Sequence, residues 1–421
     1  MSGLTAIQKV FSKKTGKTRV EVGEIIEAKV DFLMLHEVTG PLAVEEFEKI
    51  SSKVWDPDRV VVIFDHDVPP STIALASQMK TMRSFVRKHC IKNFFEVGRG
   101  GIAHQVLFEE GFDIPGYLII GADSHTCTAG ATGAVGIGVG STDAAIVLAT
   151  GEIWLRVPET MLIEVEGEFG RGVFAKDLAL KTVGTVGANG ATYKAVEYAG
   201  ETIRRLSLSE RLTLTNLSVE MGAKTGIVQT DSKSREYAES LNKQTEFMDV
   251  GSDPNSDFEK IEIDASELEP VVSVPHSVDN VKPVREVEGL EIDQAFLGSC
   301  TNGRLEDLTV AFKMLEGRRI APNVRLVVSP ASVKVYREAL QMGIIEEIMR
   351  AGGIVTSPTC GACLGMSRGV LAKGEVAVSS SNRNFIGRMG DRESKVFLAS
   401  PATVIASALE GKISDPRRYL S

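Results

Sequence analysis

The chain has 421 residues, 43% apolar, 24% charged and 6% aromatic, with 47 Lys+Arg against 56 Asp+Glu and a formal net charge of −9. At roughly 150 residues per domain, that is enough for two to three domains with cores of their own. The acidic balance argues against nucleic acid or an anionic membrane as partner, and the longest apolar runs fall far short of the roughly 18 residues of a membrane span. Five cysteines, an odd and sparse number, argue against a disulfide framework and for a reducing, cytoplasmic compartment.

The N-terminal segment is basic as far as Glu21 but has no apolar signal core; Ile7, Val10 and Phe11 at helical spacing predict a first amphipathic helix. Short apolar runs at residues 60–64, 118–121, 295–298, 324–328, 376–379 and 396–399 alternate with helix-like stretches at 74–89, 333–341 and 402–409. This alternation predicts an α/β fold whose mostly parallel strands are buried on both faces. No fixed repeat period is visible, which excludes a solenoid. The glycine-rich run from Gly133 to Gly140 has neither the Lys of a P-loop nor the G-x-G-x-x-G order, and predicts tight turns and close packing instead. The stretch from Ser232 to Asp293 is acidic and carries Pro254, Pro270, Pro275 and Pro283, so it reads as the end of a middle domain followed by a linker. The expected division is 1–158, 159–285 and 286–421.

Five strand-like runs end in reactive side chains: Asp65-His66, Asp123-Ser124-His125, Cys300, Cys360 and Asn382-Arg383. Any one of these alone reads as a polar turn. In open α/β sheets, however, ligands bind outside the carboxyl ends of the strands, and five such ends together point to one shared site. Cys360-Gly361-Ala362-Cys363 by itself fits a redox dithiol, half a zinc site or part of an iron–sulfur site. No second cysteine pair or His pair at zinc-finger spacing completes a zinc site. Cys300 is the obvious third thiol, and three thiolates without an evident fourth suit a [4Fe-4S] cluster with one iron open to a non-protein ligand. Such an iron is a Lewis acid for a hydroxyl group. Cys90 reads as a buried structural thiol, and Cys127 as a neighbour of the site.

Asp65 beside His66, and Asp123 close to His125, pair a carboxylate with an imidazole, which suits proton transfer near neutral pH. His104 follows a glycine-led turn and His36 opens a further motif, whereas His89 and His276 read as surface or packing residues. Arg383 and Arg388, after a strand, are planar partners for carboxylates and imply a small polycarboxylate substrate.

These residues resemble the aconitase superfamily, and within it the large subunits of isopropylmalate isomerase and homoaconitase. The resemblance runs nearly end to end. It is carried by His36-Glu37-Val38-Thr39-Gly40-Pro41, Asp65-His66, Gly121-Ala122-Asp123-Ser124-His125-Thr126, Gly298-Ser299-Cys300-Thr301-Asn302, Pro358-Thr359-Cys360-Gly361-Ala362-Cys363 and Asn382 to Arg388. It implies three α/β/α domains around a [4Fe-4S] cluster, one per chain, held by Cys300, Cys360 and Cys363. It implies further that Asp65 and His66 donate a proton to a leaving hydroxyl and that Asp123 and His125 lie near the iron-bound oxygen. Ser124, Arg383 and Arg388 would then hold substrate carboxylates, His104 would support the proton network, and Asn302 and Asn382 would lie near the cluster. The implied reaction dehydrates a 2-hydroxy acid and rehydrates it on the adjacent carbon, acting on 2-isopropylmalate in leucine biosynthesis or, as the alternative, on homocitrate.

The sequence also departs from aconitase. Aconitase has a Gln where this chain has Pro41 or Leu42, and an Asn and a Glu where it has Glu220 and Lys224, so citrate is not the expected substrate. Aconitase continues into a fourth, swivelling domain that supplies a Ser base and a further Arg; here a separate small subunit carrying that domain is the expected partner. A non-catalytic iron–sulfur or dithiol protein would have no need of Asp65-His66, Asp123-Ser124-His125 and Arg383 together. An RNA-binding relative is opposed by the net charge of −9.

Overall fold

The computed structural model describes residues 3–241 and 247–420. A first sheet of five parallel strands runs in the order Asn93–Phe95, Val60–Ile63, Phe32–His36, Leu118–Gly121, Val135–Gly138. Alternate residues face opposite sides of it, as a pleated strand requires. Leu33, Leu35, Val60, Val62, Leu118 and Ile120 join the helices Gly40–Ile50, Ile73–His89 and Ser141–Thr150 in one apolar core. Met34, Val61, Ile63 and Ile119 join the helix Ala103–Glu109 in a second core, so both faces are covered. The amphipathic helix expected at the N-terminus spans Ala6–Thr15, with Ile7, Val10 and Phe11 buried.

The middle sheet, also parallel, runs in the order Thr225–Val228, Ala195–Ala199, Thr160–Glu166, Glu259–Asp264. A third sheet has seven strands in the order Val281–Pro283, Val271–Ser273, Lys395–Ala399, Val376–Ser379, Gln294–Leu297, Arg325–Val328, Ile354–Val355. Val271–Ser273 pairs antiparallel with both of its neighbours, and the remaining pairs are parallel. The proline-bearing stretch before residue 285 is therefore built into two sheets: Glu259–Asp264 is an edge of the middle one, and Val271–Ser273 belongs to the third. One face of the third sheet packs on its own helices, including Leu305–Leu315 and Pro401–Glu410. Its other face, through Phe296, Val327, Ala377 and Leu398, shares a core with Leu178 and Val183 of the helix Ala175–Val186. Among the described residues, no helix is long and apolar enough to cross a membrane.

The glycine-rich run does what its lack of a nucleotide pattern suggests. A Cβ on Gly136 would lie 2.0 Å from the Thr126 carbonyl oxygen, so only glycine lets the turns at 124–132 lie against the strand Val135–Gly138. Cys90 corrects the sequence reading. It is exposed, because it ends the helix Ile73–His89 in a left-handed conformation (φ 55°) that turns its side chain off the core.

The turn at Cys300 is tied to the helices Ala103–Glu109 and Leu208–Leu217 by Arg304, which is 3% exposed. Its guanidinium donates to the carbonyls of Cys300 (2.8 Å), Thr301 (2.6 Å) and Ser209 (3.2 Å), to Thr213 Oγ1 (3.2 Å) and to Gln105 Oε1 (2.9 Å). Arg304→Met would strand these buried acceptors, and it is expected to cost about 3 kcal/mol or more, read as a lowered urea midpoint with unchanged slope.

Candidate active site

The carboxyl ends of the first and third sheets face each other, and their loops are joined through the main chain. The amides of Cys360 and Gly361 donate to the carbonyls of Asp65 (2.8 Å) and His66 (2.9 Å). Thr359 Oγ1 donates to the same two carbonyls at 2.9 and 3.0 Å. Between the loops lies a cavity of about 70 Å³ lined by Asp65, His66, His104, Asp123, Ser124, His125, Cys300, Cys360, Cys363, Asn382, Arg383 and Arg388. All the site residues named from the sequence are brought together there except Asn302. That side chain is buried beside Cys300 in sequence, but its amide donates to Asp307 Oδ1 at 3.1 Å, and it lines a separate cavity of about 130 Å³.

Each imidazole in the site faces a carboxylate. His66 Nδ1 donates to Asp65 Oδ1 at 2.5 Å, and His66 Nε2 lies 3.7 Å from Asp123 Oδ2. His104 Nε2 donates to Asp123 Oδ1 at 2.9 Å, and the His125 amide donates to the same oxygen at 2.7 Å. Burial works against charge on His66, but Asp65, Glu37 and Asp123 overcome it and raise its pKa to about 10. Burial also opposes charge on Asp123, yet His104 holds its carboxyl well below the usual range.

Two residues essential to this arrangement were not singled out as site residues in the sequence. Glu37 accepts from the amides of Asp65 (3.0 Å), His66 (2.7 Å) and Asp67 (3.1 Å), so it mounts the loop that carries the acid pair. With its oxygens committed to amides, the buried group of His36, Glu37, Asp65 and His66 is a hydrogen-bonded mount, though its atoms lie close enough to hold a cation. Glu220, read as a departure from aconitase, belongs to the site: it accepts from His125 Nε2 at 2.9 Å and from Arg383 Nε at 2.7 Å. Burial opposes its charge, but His125 and Arg383 keep its carboxyl below the usual range. Lys224 stays apart, over the ring of Tyr193. The available signal was the strand Phe32–His36, which runs into His36-Glu37 as the other strands run into their reactive ends; Glu220 gave no such signal, because it lies in the turn Ser218–Met221. As expected, His89 packs against Phe47 and Phe85, and His276 is exposed.

The three thiols of Cys300, Cys360 and Cys363 are 8%, 8% and 3% exposed, and none is in a disulfide. Burial pushes the Cys300 thiol up to about 12 and that of Cys360 well above its usual value, so neither ionises at neutral pH without a cation to stabilise the thiolate. Asn382 Nδ2 donates to Cys300 Sγ at 3.1 Å, and Arg388 Nη2 points to Cys363 Sγ at 3.8 Å. Cys127 is buried against the Asn216 carbonyl, outside the cavity lining. Two buried nitrogens of the lining, His104 Nδ1 and Arg388 Nε, have no protein partner. A convergent set of buried sulfurs with N–H groups directed at them fits an iron–sulfur group, and the unpartnered Arg388 Nε fits an anionic ligand beside it.

Fold and cavity define the class, and the sequence comparisons agree. The pattern of the aconitase family (aconitate hydratase) matches residues 8–289 and 280–411, and the chain belongs to that family. The family implies an iron–sulfur cluster, in agreement with the donor set. The chain is 51% identical to the 3-isopropylmalate dehydratase large subunit 1 of Methanopyrus kandleri, covering 99% of this chain and 100% of that one. It is 48% identical to the 3-isopropylmalate dehydratase large subunit of Aquifex aeolicus, covering 98% and 97%. It is 49% identical to the probable methanogen homoaconitase large subunit of Methanothermobacter thermautotrophicus, covering 99% of each. Among solved structures, aconitase X of Thermococcus kodakaraensis shares the fold, with a TM-score of 0.51 at 14% identity over 90% of this chain and 89% of that one.

The rings of His36 and His66 stack at 4.1 Å and 15°. Burial lowers the His36 pKa to about 4, while the carboxylates around His66 raise its pKa to about 10, so between these limits the stack carries one positive charge, on His66. Because the folded value lies above the unfolded 6.5, His66 contributes stability below about pH 6.5 and loses it as pH rises through about 10. In the cluster-free chain, side-chain NMR of labelled histidine is expected to show no titration of either ring from pH 6 to 8. Asp65→Asn is expected to bring the His66 midpoint into that window.

Proposed function

We propose that the chain is the catalytic large subunit of a cytoplasmic hydro-lyase that converts 2-isopropylmalate to 3-isopropylmalate by dehydration and rehydration, a step of leucine biosynthesis. The observation that carries this reading is the convergence of three buried thiols, a carboxylate-held imidazolium and two guanidinium groups on one cavity. Near full-length identity of 51% and 48% to chains named 3-isopropylmalate dehydratase large subunits supports the substrate. Homocitrate is the second reading, favoured by the homoaconitase-named relative at 49% identity. The names of these relatives also support a separate small subunit as partner; that subunit would carry the swivelling domain and, with it, the base that takes the proton from carbon.

Cys300, Cys360 and Cys363 would hold one [4Fe-4S] cluster per chain, which when bound supplies a Lewis acid for the substrate hydroxyl. His66, kept protonated by Asp65, gives its Nε2 proton to the departing hydroxyl and recovers it on rehydration. Asp123 holds a proton at His104 Nε2 and lies beside His66, so it links the two imidazoles. Arg388 offers its unpartnered Nε to one substrate carboxylate. Arg383 has its Nε on Glu220 and turns its other nitrogens to a second, beside Ser124.

Anaerobic reconstitution with iron, sulfide and a candidate small subunit, followed by enoate absorbance on 2-isopropylmalate and homocitrate in parallel, tests this reading. Turnover of 2-isopropylmalate that requires both chains is expected; a fully loaded cluster without turnover of either acid overturns it. Cys300→Ser should abolish the cluster absorbance, and His66→Gln should retain the absorbance but lower kcat by about 10²- to 10⁴-fold.

A further inference from the structure

Lys176 is 1% exposed in the first turn of the helix Ala175–Val186. A lysine this deeply buried ordinarily has a carboxylate partner. Among the described residues no ion pair of Lys176 is found; its ammonium donates instead to two consecutive main-chain carbonyls, those of Ser380 at 2.8 Å and Ser381 at 2.7 Å. These peptides lead directly into Asn382, whose amide donates to Cys300 Sγ at 3.1 Å, and Arg383, whose Nε meets Glu220 at 2.7 Å. The same segment is fixed from the other side by Thr301 Oγ1, which donates to Ser380 O at 2.6 Å, and by Ser380 Oγ, which accepts from the Gly298 amide at 2.9 Å. A change at Lys176 therefore reaches the thiols and the cavity mouth through the main chain, without Lys176 itself lining the cavity.

The charge matters as much as the hydrogen bonds. As metal ligands the cysteines become thiolates, placing three negative charges in the interior. Lys176 lines the separate cavity of about 130 Å³ that also holds Asn302 and Asp307, and among the described residues it has no carboxylate at ion-pair distance. Burial pulls its ammonium down to about 7, whereas Cys300, Cys363 and Asp307 act to keep it charged.

We propose that Lys176 is a positioning residue: its ammonium clamps the Ser380–Ser381 peptides, so that Asn382 stays on the cysteine sulfur and Arg383 at the cavity mouth, and supplies a buried countercharge to the thiolate set. The countercharge half rests on the reading of Cys300, Cys360 and Cys363 as cluster ligands; the clamp does not.

Three variants of the full chain, reconstituted and paired with the small subunit, separate the two halves. Lys176→Met removes both donors and charge, Lys176→Gln keeps N–H donors without charge, and Lys176→Arg keeps the charge. In Lys176→Met, amide hydrogen exchange in the peptide covering 380–388 should rise by about tenfold or more. Its KM should rise more than its kcat falls, because Arg383 binds substrate, and the cluster reduction potential should drop, because a nearby positive charge is lost. Lys176→Gln should lower the potential with slower exchange than Lys176→Met, and Lys176→Arg should retain the potential. Exchange and potential both unchanged in a folded Lys176→Met chain overturn the proposal. Should that variant fail to fold, equal potentials in Lys176→Gln and Lys176→Arg overturn the countercharge, and wild-type exchange over 380–388 in Lys176→Ala, which also lacks the donors, overturns the clamp. A wild-type chain that takes up no cluster overturns the ligand reading and the countercharge with it, while exchange compared between the cluster-free wild-type and Lys176→Met chains still decides the clamp.

Discussion

The site depends on a seam of main-chain hydrogen bonds between two sheets. The carbonyls of Asp65 and His66 accept from the Cys360 and Gly361 amides and from Thr359 Oγ1, so the loop that carries the Asp65-His66 pair and the loop that carries two of the thiols are effectively one piece. Everything else is placed relative to that seam. Glu37 fixes the Asp65-His66 loop from beneath through three amides. Arg304 fixes the Cys300 turn from the other side, through the carbonyls of Cys300 and Thr301. Geometry set by backbone bonds between buried segments leaves little freedom for the reacting groups to drift, which is the condition for pre-organised proton transfer.

The electrostatics follow from the same burial. An imidazolium, two carboxylates and three thiols line a cavity of about 70 Å³, with Glu220 just behind them, and burial opposes charge on these groups in so dry a place. Pairing overcomes this: Asp65 holds the charge on His66, His104 that on Asp123, and His125 and Arg383 that on Glu220. The thiols are the exception. Burial holds Cys300 and Cys360 neutral, which makes them the groups that gain most from a bound metal.

Much of this was legible in the sequence, for definite reasons. Strands buried on both faces are continuous apolar runs, so residues 60–64, 118–121 and 376–379 announced themselves, and the reactive residues at their carboxyl ends followed. The middle sheet was less legible, because strands such as Thr160–Glu166 and Glu259–Asp264 carry charged residues that break the run. Glu220 was hidden because its part is set by the fold: a turn of the middle unit brings it to His125, 95 positions away, and nothing local marks it. Cys90 misled because a cysteine at a helix end has no sequence feature that separates a buried thiol from a left-handed cap.

The way the third sheet takes its edge from upstream sequence limits how the chain could be divided. Val271–Ser273 pairs with Lys395–Ala399, and Val281–Pro283 covers it in turn. A gene split at residue 285 would send both strands off with the wrong fragment and leave Lys395–Ala399 as a bare edge, a template for pairing between molecules. The shared core of Phe296 and Leu398 with Leu178 and Val183 would be cut open at the same place. Fragment complementation or circular permutation would have to spare that junction, and expression of the C-terminal unit alone would have to begin upstream of Val271 to remain soluble.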